Sequence, residues 1–152
     1  MIKIGKIFQF EAPKGWTEIR QESRCVFHGS NRQELIASAS VIQGFGTEND
    51  LTAAQQRLFQ NAERSVRNAA AHPTLNVTQP FQREFRASNV ECWSLMAQTH
   101  KGEVLFHQAI FSDARGVLLV TLEAPNTAQS LRIFEQFIKS VEVISESDAL
   151  VE

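Results

Sequence analysis

A chain of 152 residues with 43% hydrophobic and 21% charged side chains has the size and composition of one globular domain, able to bury a core without staples. Its net charge of −2 and pI of about 6.1 leave no basic excess for neutralising phosphates, which excludes a generic nucleic-acid binder. Two cysteines, Cys25 and Cys92, are too few for a disulfide framework and read as buried thiols in a reducing compartment.

Lys3 and Lys6 interrupt the N-terminal apolar residues, so the start holds no signal-peptide core. No stretch approaches the roughly 18 apolar residues of a membrane helix. A cytoplasmic protein without stable membrane insertion is the expectation. Ile4 to Glu11, with Phe8 and Phe10 on alternate positions, predicts a strand that Ala12-Pro13-Lys14-Gly15 stops. Trp16 to Arg20 and Arg24 to Phe27 read as short strands, and Glu34 to Gln43 as a longer one, central and covered on both sides. Leu51, Ala54, Leu58, Ala62, Val66 and Ala69 then recur at helical spacing up to Ala71, before Pro73, with Asn49 or Asp50 as cap. The opposite helix face carries Arg57, Arg64 and Arg67 and reads as solvated, with a Glu63–Arg67 pair.

The second half predicts a meander. Val77 to Arg86 contains Pro80, which calls for an edge or a bulge, and its charge-poor first half leaves pairing with a second copy open, as a homodimer. Val90 to His100 and Glu103 to Ser112 form a hairpin about Lys101-Gly102, followed by a strand from Val117 to Ala124. Asn126, with Gln129 three residues on, predicts the cap of a last helix whose buried stripe is Leu131, Phe134, Ile138 and Val141. From Glu142 onward the chain carries four acids and no base and reads as a frayed, solvated end. The domain is placed at 1–144, with an acidic tail over 145–152. The order implies an α+β fold, an antiparallel β-sheet with helices packed on both sides.

No constellation for catalysis emerges. Cys25 and His28 form a Cys-x-x-His pair with no matching second pair, so no metal site is expected. Neither cysteine has a histidine base beside it in sequence, and no phosphate loop, nucleophile elbow or dinucleotide glycine motif occurs, so no cofactor is expected either. The hairpin register puts Met96 opposite His107 and Gln98 opposite Leu105. One face then carries Cys92, Ser94, Met96, Gln98, Leu105, His107 and Phe111, and the other Trp93, Leu95, Ala97, Val104, Phe106 and Ile110, a core face. The mixed face supports two readings: a partner-binding surface made of Met96, Gln98, Leu105, His107 and Phe111, or a sheet face half-covered by the second helix. The second is preferred.

Phe10-Glu11-Ala12-Pro13-Lys14-Gly15-Trp16 resembles the F-x-x-P-x-G-W opening of bacterial domains with the Mog1/PsbP-like fold. Phe134-Glu135-Gln136-Phe137-Ile138-Lys139-Ser140-Val141 resembles the closing helix of the same families, so the likeness covers residues 4 to 144 or so. The resemblance implies an α/β/α sandwich used for docking proteins rather than for catalysis. Among such families the DcrB-like domains and the cytoplasmic Eag-type chaperones of type VI secretion effectors are the nearest in pattern. What it implies is a non-catalytic protein-binding domain, a chaperone or adaptor for a secreted effector. An immunity protein plugging a bacterial toxin, through loops such as Gly46 to Asp50, and a small-ligand or lipid-binding module with a cavity beneath the long helix are the alternatives.

Overall fold

The computed structural model describes residues 1–42, 46–84 and 90–144. Its elements run β1 (Ile2–Ile4), β2 (Phe8–Phe10), β3 (Thr17–Arg20), β4 (Arg24–His28), β5 (Glu34–Val41), α1 (Glu48–Ala70), β6 (Leu75–Glu84), β7 (Glu91–Thr99), β8 (Val104–Asp113), β9 (Gly116–Pro125), α2 (Ala128–Ser140) and β10 (Glu142–Val143). Seven strands form an antiparallel sheet in the order β3-β4-β5-β9-β8-β7-β6, and β1, β2 and β10 form a small second sheet. Helix α1 lies on one face of the large sheet; α2 and the small sheet lie on the other. The fold is therefore the α+β sandwich that the order of elements implies.

Local chemistry sets the boundaries. Thr47, rather than Asn49 or Asp50, caps α1: its hydroxyl accepts from the Asp50 amide at 3.2 Å while the Asp50 carboxylate accepts from the Thr47 amide at 3.3 Å. Thr127, rather than Asn126, caps α2 by accepting from the Ser130 amide. Asn126 serves elsewhere. Its side-chain amide donates to Gln98 Oε1 (3.0 Å) and to the Gly102 carbonyl (2.9 Å), pinning the β7–β8 turn to the start of α2. The strand expected from Ile4 to Glu11 is broken by Gly5 and Lys6, both at positive φ, into the β1–β2 hairpin. At the other end, Glu142 and Val143 are not frayed. They pair with Gln9 and Phe8, and the Ile144 amide donates to the Ile7 carbonyl at 2.6 Å. The expected tail over 145–152 lies outside the described residues.

The β7–β8 register is the one expected, with Ser94 opposite Ala109, Met96 opposite His107 and Gln98 opposite Leu105. Strand β6 is an edge and, as Pro80 implies, irregular, its register shifting between Val77 and Gln79 and again between Gln79 and Gln82. Those interruptions blunt it as a template for a second copy. One expectation needs correction. The strand apolar on both faces, β5, is buried on one side only, at Leu35 and Ala37, with Ile36 and Ser38 half-covered. The strands covered on both sides are β8 and β9, because α1 packs over these two and does not extend across the sheet to shield β5 as deeply.

The two terminal motifs meet. Phe10 packs on Phe137 with ring centroids 5.0 Å apart and on Phe27 at 6.1 Å. The Ser140 hydroxyl donates to the Phe137 carbonyl and accepts from the Glu11 amide at 3.1 Å. Where β9 begins, Gly116 pairs with Val41, and a Cβ there would run into the Ser40 carbonyl oxygen and come within 3.1 Å of Val41 Cα. Backbone cannot yield as a side-chain tip can, so Gly116→Ala is expected to destabilise the fold by about 2 kcal/mol or more, read as a lower urea midpoint at unchanged m-value.

Candidate functional site

On the α2 side the sheet is sealed. Of the five side chains expected to present a partner surface, Leu105, His107 and Phe111 are buried beneath α2 and the small sheet. Met96 and Gln98 are half-buried at the margin, and Gln98 is engaged by Asn126. The half-covered face is thus the arrangement found, and the reason is the apolar stripe Phe134, Phe137, Ile138 and Val141 of α2, which has no other surface to bury against. His107 lies flat against Phe134, centroids 3.6 Å apart at 29°, and among the described residues neither ring nitrogen has a hydrogen-bond partner. Burial alone lowers its pKa from 6.5 to about 3.

This buried neutral imidazole sets a pH dependence. Above pH 6.5 the folded and unfolded states both hold it neutral; between pH 6.5 and 3 only the unfolded state takes up the proton, so stability falls as pH drops through that window. Across the whole window the loss should reach on the order of 5 kcal/mol. Urea titrations from pH 7.5 to 4 are expected to show that slope, and His107→Phe, which keeps the stacking on Phe134, should flatten it. An equal slope in both proteins would contradict a neutral buried ring.

Cys25 and Cys92 are both buried, and burial pushes the Cys25 thiol up in pKa, against a smaller lowering by Arg20. Alternation along β4 turns Cys25 into the core and His28 to the opposite, exposed face, where it lies 3.6 Å from Glu34. Among the described residues no group of three or more His, Cys, Asp or Glu could hold a metal ion. Arg67 donates to Glu63 at 2.8 Å and lies over the Phe81 ring, as a solvated helix face should.

The α1 side is not sealed. The helix ends at Ala70, with Ala71 as its C-cap, and the chain turns at Pro73 into β6. Its last residues, Ala69 and Ala70, are too small to fill the space over the sheet beyond them. A pocket of about 360 Å³ results, walled by Ala69, Ala70, Leu75, Leu95, Ala97 and Phe106, with Gln108 and Thr121 in its floor and His72 and Thr74 at its mouth. Among the described residues no lysine, arginine, aspartate or glutamate lines it. Its volume falls within the roughly 300–1,000 Å³ usual for small-molecule sites, and a mostly apolar lining with a few converging polar groups is the usual chemistry of such sites. His72 Nδ1 accepts from the Thr74 amide at 3.2 Å and lies 2.7 Å from the Thr74 hydroxyl, which holds the mouth in shape. Sequence reasoning counted Leu95, Ala97 and Phe106 as core and passed over Gln108. The available signals were a glutamine inside an apolar strand and a run of three alanines at a helix end.

No family model matches the chain, and no curated protein matches it in sequence. The fold itself gives the class: a PsbP/Mog1-like α+β sandwich. Solved structures that share it include the cyanobacterial PsbP (CyanoP) of Synechocystis sp. PCC 6803, with TM-score 0.54 and 14% identity over 91% of this chain and 88% of that one. LpqN of Mycobacterium tuberculosis, described as involved in cell envelope biogenesis, matches with TM-score 0.51 and 11% identity over 91% and 83%. A protein from Bacteroides thetaiotaomicron VPI-5482 matches with TM-score 0.56 and 14% identity over 97% of this chain, which spans 48% of that protein. Among the described residues, no helix is long and apolar enough to cross a membrane.

Proposed function

We propose that this chain is a non-catalytic binding module whose site is the pocket at the C-terminal end of α1, and that its ligand is a small, largely apolar molecule that is uncharged where it is buried. The observation that carries this reading is the lining: apolar walls, two polar side chains in the floor, and, among the described residues, no lysine, arginine, aspartate or glutamate to meet a buried ion. Two buried cysteine thiols fit a cytoplasmic site of action.

The effector-chaperone reading, drawn from the likeness to Eag-type domains, would place an apolar partner helix on the face of Met96, Gln98, Leu105, His107 and Phe111. With three of these side chains under α2, it would require that helix to leave the sheet. The immunity reading draws on Gly46 to Asp50 as a loop, but Thr47 caps α1 there and Glu48 to Asp50 form its first turn. The ligand reading needs no rearrangement, and for that reason it is preferred.

The pocket can be closed without touching the core, because Ala69 is exposed at its rim. Ala69→Trp is expected to lower the affinity for an apolar fluorescent probe such as N-phenyl-naphthylamine at least tenfold while leaving the thermal midpoint in place. Native mass spectrometry of the purified chain should show a bound small molecule in the parent and less of it in the variant. Equal probe affinity in the two proteins would remove the pocket as the site.

A further inference from the structure

We infer that the pocket selects its ligand by a neutral hydroxyl seated at Gln108 and Thr121, taking an aliphatic alcohol in preference to the matching carboxylate; this rests on the pocket being the binding site. Gln108 is 9% exposed and stands among Leu95, Ala97 and Phe106. Its amide donates to the Thr121 hydroxyl at 3.3 Å, and among the described residues no hydrogen bond reaches its carbonyl oxygen. Unlike the His107 nitrogens, that oxygen is no buried orphan; it borders the open space of the pocket, where a donor on a ligand can reach it. Beside it, Thr121 Oγ1 already accepts from Gln108 and keeps its own proton to donate.

The floor therefore offers one acceptor and one donor side by side. A hydroxyl is both donor and acceptor and can satisfy the two at once. Reversing the Gln108 amide exchanges which of its ends is open, and a hydroxyl still fits. A carboxylate does not. It only accepts, so it would face the amide oxygen without a proton to share, and its charge would be buried with no lysine or arginine among the described residues lining the site. His72 offers no remedy at the floor, since it lies exposed at the mouth with Nδ1 already engaged by Thr74. Walls made of alanine, leucine and phenylalanine side chains then call for a simple aliphatic body.

The test is calorimetric titration of the full-length chain with n-octanol and with octanoate at neutral pH, repeated on Gln108→Leu and Ala69→Trp. The parent should bind octanol at least tenfold more tightly than octanoate. Gln108→Leu, an apolar replacement in an apolar setting that should fold, is expected to weaken octanol binding at least fivefold and shrink the preference. Ala69→Trp should weaken both. Octanoate binding as tightly as octanol, or a preference unchanged in Gln108→Leu, would overturn the hydroxyl assignment while leaving the pocket standing if Ala69→Trp still blocks binding. No binding of either compound to the parent would overturn the hydroxyl assignment and the pocket reading together.

Discussion

The central pair β8–β9 must be apolar on both faces, and the rest of the architecture follows from that constraint. Ile110 and Val117 serve the core under α1, while Ala109, Phe111, Leu118, Val120 and Leu122 serve the core under α2. Two layers of helix are needed because a strand pair of this kind leaves no face fit for water. The close approach at Gly116 is part of the same requirement: β5 can complete the α2-side core with Leu35 and Ala37 only if β9 starts hard against its end. The small sheet adds Ile2, Ile4, Phe8 and Phe10 to that core, and Arg115 ties it back by donating to the Ile144 carbonyl at 2.7 Å.

The two sides of the sheet are finished differently. On one, α2 brings two phenylalanines and an isoleucine over the strands and closes the surface. On the other, α1 runs 23 residues yet buries only Ala62, Val66 and Ala70 fully, all near its C-terminal half. Phe59, Phe81 and Trp93 cluster beneath the middle of that helix, with Phe81 and Trp93 stacked at 5.3 Å, and hold it on the sheet. Past Val66 the side chains shrink to alanine, at Ala69 and Ala70. The pocket is a consequence of where bulk was placed along one helix, with no irregularity of the backbone needed to make it.

Much of this architecture could be read from sequence because its causes are local. Alternation fixed the faces of β7 and β8, Gly102 at positive φ fixed the turn between them, and three-four spacing located both helices. The opening and closing motifs were legible for the same reason, although nothing in either announced that Phe10 and Phe137 would touch. What was missed depended on partners distant in sequence. The pairing of Glu142 and Val143 with β2 is invisible in an acidic stretch that looks solvated. Burial of Leu105, His107 and Phe111 was legible by contrast, since a last helix with an apolar stripe had to cover one sheet face. A cavity beneath the long helix is among the sequence readings, but its lining is not: Ala69, Ala70 and Ala97 meet there, a juxtaposition of small residues that no period reveals.

His107 and Gln108 show how far cover decides the use of a polar residue. They are neighbours in one doubly covered strand and, by alternation, face opposite cores. Under α2 the imidazole is pressed onto Phe134, both nitrogens unpaired, and it is kept neutral by exclusion of water. Such a group gains nothing from hydrogen bonding and persists because the surrounding apolar contacts exceed its cost. Gln108, one residue on, meets a helix that has run out of bulk, so its amide has an opening in place of a lid. The same strand thus holds a polar group that can only be tolerated and one that can be used. The difference lies not in the two residues but in whether phenylalanine or alanine stands above them.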